Sequence, residues 1–421
     1  MYNRERYACR YLGDGLFVSN DTRKTGLNNN DLIVGSSGSS KTGSIVYAQL
    51  KSLKDSSLVV ADTKGRLAGM FKKELKARGY KVQVLDFVNP EKSAPYNPLD
   101  HIRKNEDGSY KDQDIARLAA ALVPLENHKE PFWELSARSV IEFFVAYTLQ
   151  ALPEEDHNMY TVGRLYRAFI KQGGDAGFLP WINKNPDSLA AVRYAQIKGM
   201  QAADKTVSSI YAFVNLALRP FDYKEYRRIF EPAFPQKGRK IRGLDIAAMG
   251  KEKTVLFLNV SDCDHSMDAI VNLFYTQALQ TLMGEADKND DGMLDLPVRI
   301  MMDDFASAAT IPSFDKIISV VRSRDIWLSL CIQSFTQLET LYSHEQAVTI
   351  QNNCDHIVYL GSNDLSSAQF IGTRALKTPE TILCMERDKE YVLESGKPVS
   401  LVKKIPSYSF EAKDEAEDEA V

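Results

Sequence analysis

Asp31-Leu-Ile-Val-Gly-Ser-Ser-Gly-Ser-Ser-Lys-Thr42 runs a short apolar strand into a Gly/Ser loop that ends in Lys-Thr, the order of a phosphate-binding loop. Its small residues, Gly35, Ser36, Ser37, Gly38, Ser39 and Ser40, let backbone N–H groups close around phosphates. Lys41 is placed to reach the β- and γ-phosphate oxygens, and the Thr42 hydroxyl to ligate Mg²⁺. Ser40 stands where G-x-x-x-x-G-K-[ST] has its second glycine. A flexible turn is the alternative, but Lys-Thr follows at the right step and an amphipathic stretch continues through Leu53. The chain is therefore expected to handle a nucleotide.

Working outward, β-rich runs recur at 31–34, 57–61, 81–87, 254–260, 298–302, 326–332 and 356–360. They are mostly unbroken apolar runs separated by helical patterns, as in strands buried on both faces of a mainly parallel α/β sheet. Between about residues 104 and 239 the strand signal stops, and 114–123, 133–152, 161–171, 189–200 and 205–218 read as helices bounded by Pro or Gly. An all-α insertion at 104–239 is expected to divide a nucleotide-binding domain into 1–103 and 240–410. The tail 411–421 is almost wholly acidic without apolar anchors, which predicts a solvated, disordered end.

The 421 residues carry a net charge of −4, with 44% hydrophobic and 26% charged positions. This is a globular composition that excludes a basic coat over the whole surface, so nucleic-acid contact must come from patches. Candidates are Lys72-Lys-Glu-Leu-Lys-Ala-Arg, Tyr223-Lys-Glu-Tyr-Arg-Arg and Gln236-Lys-Gly-Arg-Lys-Ile-Arg, where Arg and Tyr interleave as backbone and base contacts would need. A solvated helix face is the competing reading of each. Cys9, Cys263, Cys331, Cys354 and Cys384 are widely spaced, which suggests neither a disulfide framework nor a zinc site and fits a reducing, cytoplasmic compartment. The longest apolar run, 140–152, is interrupted by Glu142 and is too short to span a bilayer. The chain is expected to be soluble by itself.

Val298-Arg-Ile-Met-Met-Asp-Asp-Phe is an apolar strand ending in two carboxylates, expected beside the phosphate-loop strand. Asp303 is the candidate to hold Mg²⁺ with Thr42, and Asp304 the candidate to polarise the attacking water.

With these motifs stand Ile311-Pro, Val321-Arg-Ser-Arg, Ile332-Gln-Ser-Phe-Thr-Gln-Leu, Gln351-Asn-Asn-Cys and Leu360-Gly-Ser-Asn-Asp, and upstream Val60-Ala-Asp-Thr-Lys-Gly-Arg-Leu and Tyr96-Asn-Pro-Leu. The ordered series resembles that of type IV secretion coupling proteins, the conjugative DNA-transfer ATPases, across nearly all of residues 31–375. The resemblance implies a RecA-like motor domain with an all-helical insertion, fuelled by ATP with Mg²⁺. It also implies a homo-hexameric ring that takes DNA, with a relaxase or other secretion substrate, to channel components at the inner face of the membrane. By position, Arg322 matches the arginine that reaches a neighbour's nucleotide, with Arg324 as its competitor, and Gln333 matches the γ-phosphate-sensing glutamine. A guanidinium stabilises charge spreading over a transferred phosphoryl group, and a strand-end amide can report the γ-phosphate.

The chain departs from the pattern at Ser40, at Asp304 where a glutamate is usual, and at Arg66 where the family places an acid. It also lacks the two N-terminal membrane helices such proteins generally carry, so a soluble form is expected. These departures keep two other readings open: a nucleotide-binding adaptor that does not hydrolyse, and a stand-alone DNA-translocating, helicase-like ATPase.

Overall fold

The computed structural model describes residues 8–125, 130–172, 177–200, 204–230, 243–261, 263–303, 305 and 310–406. Strands β1 (Cys9–Gly13) and β2 (Leu16–Ser19) pair antiparallel as a separate hairpin. The main sheet comprises β3 (Asp31–Gly35), β4 (Ser57–Asp62), β5 (Lys81–Asp86), β6 (Thr254–Asn259), β7 (Val298–Met302), β8 (Ile326–Ile332), β9 (His356–Gly361), β10 (Lys389–Glu394) and β11 (Ser400–Lys403). Their order is β11-β10-β9-β3-β8-β7-β4-β6-β5. From β9 to β5 the pairing is parallel, and β10 and β11 join antiparallel at the other edge.

One expectation is corrected. The strand bearing the acidic pair, β7, does not adjoin β3, because β8 lies between them and pairs with both. The later strand inserts at the centre of the sheet, and local sequence carries no sign of that neighbour relation.

The parallel strands are apolar throughout because both sheet faces are covered. Leu32, Val34, Leu256, Leu258, Ile300 and Leu328 point into one core, while Ile33, Leu58, Val60, Phe257, Met301 and Cys331 point into the other. The second face is covered by the helix that follows the phosphate loop, the helix Leu67–Ala77 and the hairpin; the first by Asp268–Ala286 and the helices between β5 and β6. Those helices are Asp112–Leu122, Phe132–Ala151, Met159–Lys171, Leu179–Lys184, Leu189–Met200, Asp204–Leu218 and Arg227–Phe230.

Phe132–Ala151 is apolar on most of its circumference because it packs on Asp112–Leu122, Leu189–Met200 and Asp204–Leu218 together. Phe143 and Phe144 lie at its centre, with ring centroids 5.3 and 6.0 Å from that of Phe178. Glu142 survives among them because Arg193 Nε donates to it at 2.6 Å. The basic segment 236–242 and the acidic tail 411–421 lie outside the described residues.

At the N-terminal edge of the sheet Asp31 is buried between two arginines. Arg10 of the hairpin donates to it through Nε and Nη2 at 3.0 and 2.8 Å, and Arg299 of β7 through Nη1 at 2.7 Å. The Ser329 hydroxyl adds a bond at 3.1 Å. The two guanidinium groups overcome the burial that would raise the Asp31 carboxyl and hold it below the usual range.

Arg10 Nη2 also donates to His356 Nδ1 at 2.9 Å. A guanidinium only donates, so the imidazole is neutral with its proton on Nε2. Burial, reinforced by Arg10, brings His356 down to about 4. A histidine whose folded pKa is depressed stabilises the fold above its unfolded value near 6.5 and loses that contribution as pH falls towards the folded value. Chemical-denaturant unfolding should therefore show stability falling by roughly 3 kcal/mol between pH 6.5 and 4 on this account. The fall should be shallower in His356→Asn, whose amide oxygen keeps the acceptor but binds no proton. An equal slope in both proteins would remove His356 as its cause.

Candidate nucleotide site

The phosphate loop leaves the C-terminal end of β3, a central strand flanked by β8 and β9. A β-carbon at Gly35 would collide with Ser39 Oγ and crowd Ser39 Cβ and Leu360 Cβ at 3.1 and 3.2 Å. Gly38 has φ +79°, a conformation glycine adopts without cost. The loop is tied to the sheet and to itself by Ser36 N–H donating to Gly361 O at 2.9 Å and Ser39 N–H to Ser36 O at 3.1 Å.

Ser40, with φ 73° and ψ 25°, is left-handed at the position where the motif expects glycine. For a residue with a β-carbon that conformation costs about 1–2 kcal/mol. The chain then turns into the helix, with a wide first segment Lys41–Val46 continuing into Tyr47–Ser52, and Ile45, Val46 and Leu50 anchor it in the core. The unpaired N–H groups and positive dipole end of this helix open onto the loop.

Lys41 curls back over the loop, its Nζ donating to Gly35 O at 2.7 Å and Ser36 O at 3.4 Å. Thr42 is half-buried. Ser39 Oγ is buried with no hydrogen-bond partner among the described residues. The C-terminal segment also reaches the loop, where Lys404 Nζ donates to Ser39 O at 3.0 Å and Ser44 Oγ to Ile405 O at 2.9 Å. Sequence reading missed that contact, since a lone lysine far down the chain carries no motif.

Asp303 directly follows β7, half-buried, at the same edge of the sheet as the loop. Two strand spacings, roughly 10 Å, separate β7 from β3. Burial raises the hydroxyl of Tyr275, on the helix Asp268–Ala286, and the Asp303 charge raises it further. Asp304 lies outside the described residues. Gln333 follows the last residue of β8, beside the loop strand, with its side chain exposed and its N–H donating to Gln337 Oε1 at 2.9 Å.

Arg322 lies elsewhere. It sits in the helical turn Val321–Arg324 that precedes β8, so the full seven residues of that strand separate it from Gln333. At about 3.3 Å per residue the gap exceeds 20 Å. Its Nη2 donates to Gly26 O at 2.7 Å and the side chain is exposed. Its competitor Arg324 is ion-paired with Asp287 at 2.9 Å. The structure thus brings Lys41, Thr42, Asp303 and Gln333 to one edge of the sheet and leaves Arg322 at the other.

Arg66 is exposed immediately before the helix Leu67–Ala77, which it starts without a side-chain cap. Lys72, Lys73 and Lys76 form the solvated face of that helix while Phe71 and Leu75 are buried. Arg227 packs its guanidinium 4.3 Å from the centroid of the Tyr160 ring.

The chain belongs to the type IV secretory system conjugative DNA-transfer family, whose sequence model matches residues 5–373. Among solved structures it is similar to the bacterial conjugative coupling protein TrwBΔN70 in its unbound form, with 15% identity, a TM-score of 0.68, and coverage of 96% of this chain and 89% of that one. The plasmid coupling protein TrwB in complex with ADP and Mg²⁺ matches with 15% identity, a TM-score of 0.68, and coverage of 96% and 90%. VirB4 of Thermoanaerobacter pseudethanolicus is more distant, at 11% identity and a TM-score of 0.53 over 97% and 99% of the two chains. These likenesses show a RecA-like P-loop fold. No curated protein sequence matches the chain significantly. No helix among the described residues is long and apolar enough to cross a membrane.

Proposed function

We propose that this chain is an ATP-fuelled coupling protein that recruits DNA, with its relaxase or another secretion substrate, and drives it towards a type IV secretion channel at the inner face of the membrane. The observation that carries the reading is the phosphate loop of residues 35–42, with Asp303 at the same sheet edge, in a chain of the conjugative DNA-transfer family. We read residues 1–103 and 240–410 as the nucleotide-binding domain and 104–239 as its helical insertion.

The loop fits a nucleotide phosphate on its own features. Gly38 leaves room for close approach, Ser39 Oγ is buried without a partner, and the Lys41 ammonium rests on loop carbonyls that anionic oxygens would replace. In the reading, the N–H groups of residues 35–42 bind phosphate oxygens, Lys41 neutralises the terminal ones, and Thr42 and Asp303 hold Mg²⁺. Bound Mg²⁺ would offset the charge that develops on the phosphoryl oxygens. Asp304 orients water and Gln333 senses the terminal phosphate from the end of β8.

Because Arg322 cannot reach its own loop, it is available only to a neighbouring subunit, which supports a homo-hexameric ring. The left-handed Ser40 favours one rival, an adaptor that binds nucleotide without turning it over. Calorimetry with MgADP should show binding to the unmodified chain and at least about tenfold weaker binding to Lys41→Ala, the loss expected when a charge-assisted contact is removed. Equal affinities would overturn the site.

A further inference from the structure

We propose that Lys404 is a positioning residue of the phosphate loop: its ammonium holds the Ser39–Ser40 peptide in the orientation that aims the Ser40 N–H at a bound phosphate, and keeps a serine in a backbone region suited to glycine. The inference rests on the nucleotide site proposed above.

Lys404 comes from the chain directly after β11 and is 9% exposed. Its Nζ donates to Ser39 O at 3.0 Å and to Leu360 O at 2.8 Å, joining the loop to the end of β9. Its own backbone is fixed, since Lys404 N–H donates to Asp388 O at 2.7 Å and Asp14 N–H to Lys403 O at 2.8 Å. The next carbonyl, Ile405 O, takes the Ser44 hydroxyl of the loop's helix at 2.9 Å. The C-terminal segment is thereby laced to the loop and to the helix that follows it.

A trans peptide is planar, with its carbonyl and the following N–H pointing in opposite directions. Drawing Ser39 O inward to a buried ammonium therefore turns the Ser40 N–H outward, to the open side of the loop where phosphates are taken. Ser40 itself is strained at φ 73°. A serine there tends to relax by rotating the peptide that precedes it, and rotation would break the Lys404 bond. A buried cation donating two hydrogen bonds is a strong restraint, because those bonds are charge-assisted. Burial lowers the Lys404 ammonium, and Glu390 of β10 and Asp388 oppose that lowering, although burial also pushes the Glu390 carboxyl up to about 8.

The test is a double-mutant cycle read by calorimetric MgADP affinity, with hydrogen exchange of the loop peptide in the nucleotide-free protein as a second readout. In the unmodified chain, Lys404→Met should weaken MgADP about tenfold and speed exchange in residues 36–42. In the Ser40→Gly background, where a left-handed backbone carries no penalty, the same change should cost less than about threefold. A packing role alone would give the same loss in both backgrounds, and that result, or no loss in either, would overturn the proposal. If Lys404→Met fails to fold by circular dichroism, Lys404→Gln, which keeps the stem and one donor, is put through the same comparison and decides it. Failure of the nucleotide site is distinguishable, since the unmodified chain and Ser40→Gly would then both bind no MgADP, which overturns both readings.

Discussion

Arg322→Ala is expected to leave MgADP affinity unchanged and to lower ATP turnover by about 10³- to 10⁵-fold, the range found when an arginine acting on a transferred phosphoryl group is removed. The two halves of that result follow from one placement. Arg322 stands at the N-terminal edge of the sheet, a full strand from its own phosphate loop, with its Nη2 bonded to Gly26 O, so binding within one subunit does not involve it. On the proposed reading, its exposed guanidinium would act on a phosphate held by a neighbouring subunit. Turnover per chain should for the same reason fall on dilution. Arg324→Ala should matter far less for chemistry, since its fork is held by Asp287. A steady-state ATPase comparison of the two variants checks this assignment, and full activity in Arg322→Ala would end it.

Asp31→Ala should destabilise the protein by about 3–5 kcal/mol, the cost of leaving one side of a buried ion network uncompensated. Arg10 and Arg299 would remain in the core with their shared carboxylate gone. Because Arg10 belongs to the hairpin and Arg299 to β7, the loss should loosen the hairpin from the sheet before the sheet itself opens. Denaturant unfolding measures the total, and hydrogen exchange should show residues 9–19 losing protection first. A change below about 1 kcal/mol, the worth of an exposed ion pair, would mean that the network is dispensable.

The parallel strands and five of the helices between β5 and β6 were legible because burial on both faces writes continuous apolar runs, and packing in a bundle writes helical periodicity. β1, β2, β10 and β11 were not. Lys389–Glu394 carries charge at both ends, and its neighbour Ser400–Lys403 alternates half-buried with exposed positions at an edge, so neither makes an apolar run. Ser40 was legible as a departure from a motif, and its left-handed backbone is the physical consequence of that departure.

Asp31 was visible only as the first residue of a strand. Its partners Arg10, Arg299 and His356 are scattered through the chain and meet only after the sheet has formed. The same applies to the neighbour relation of β7 and β3, to the distance of Arg322 from its own loop, and to Lys404, whose meaning depends on which carbonyls it meets.

The central claim, an ATP-driven DNA motor, is tested most directly by the ATPase rate of the purified chain with and without DNA, alongside Lys41→Ala. The account predicts hydrolysis that rises with DNA and is absent from Lys41→Ala. A rate that stays flat on adding DNA, or one that survives in Lys41→Ala, would contradict it.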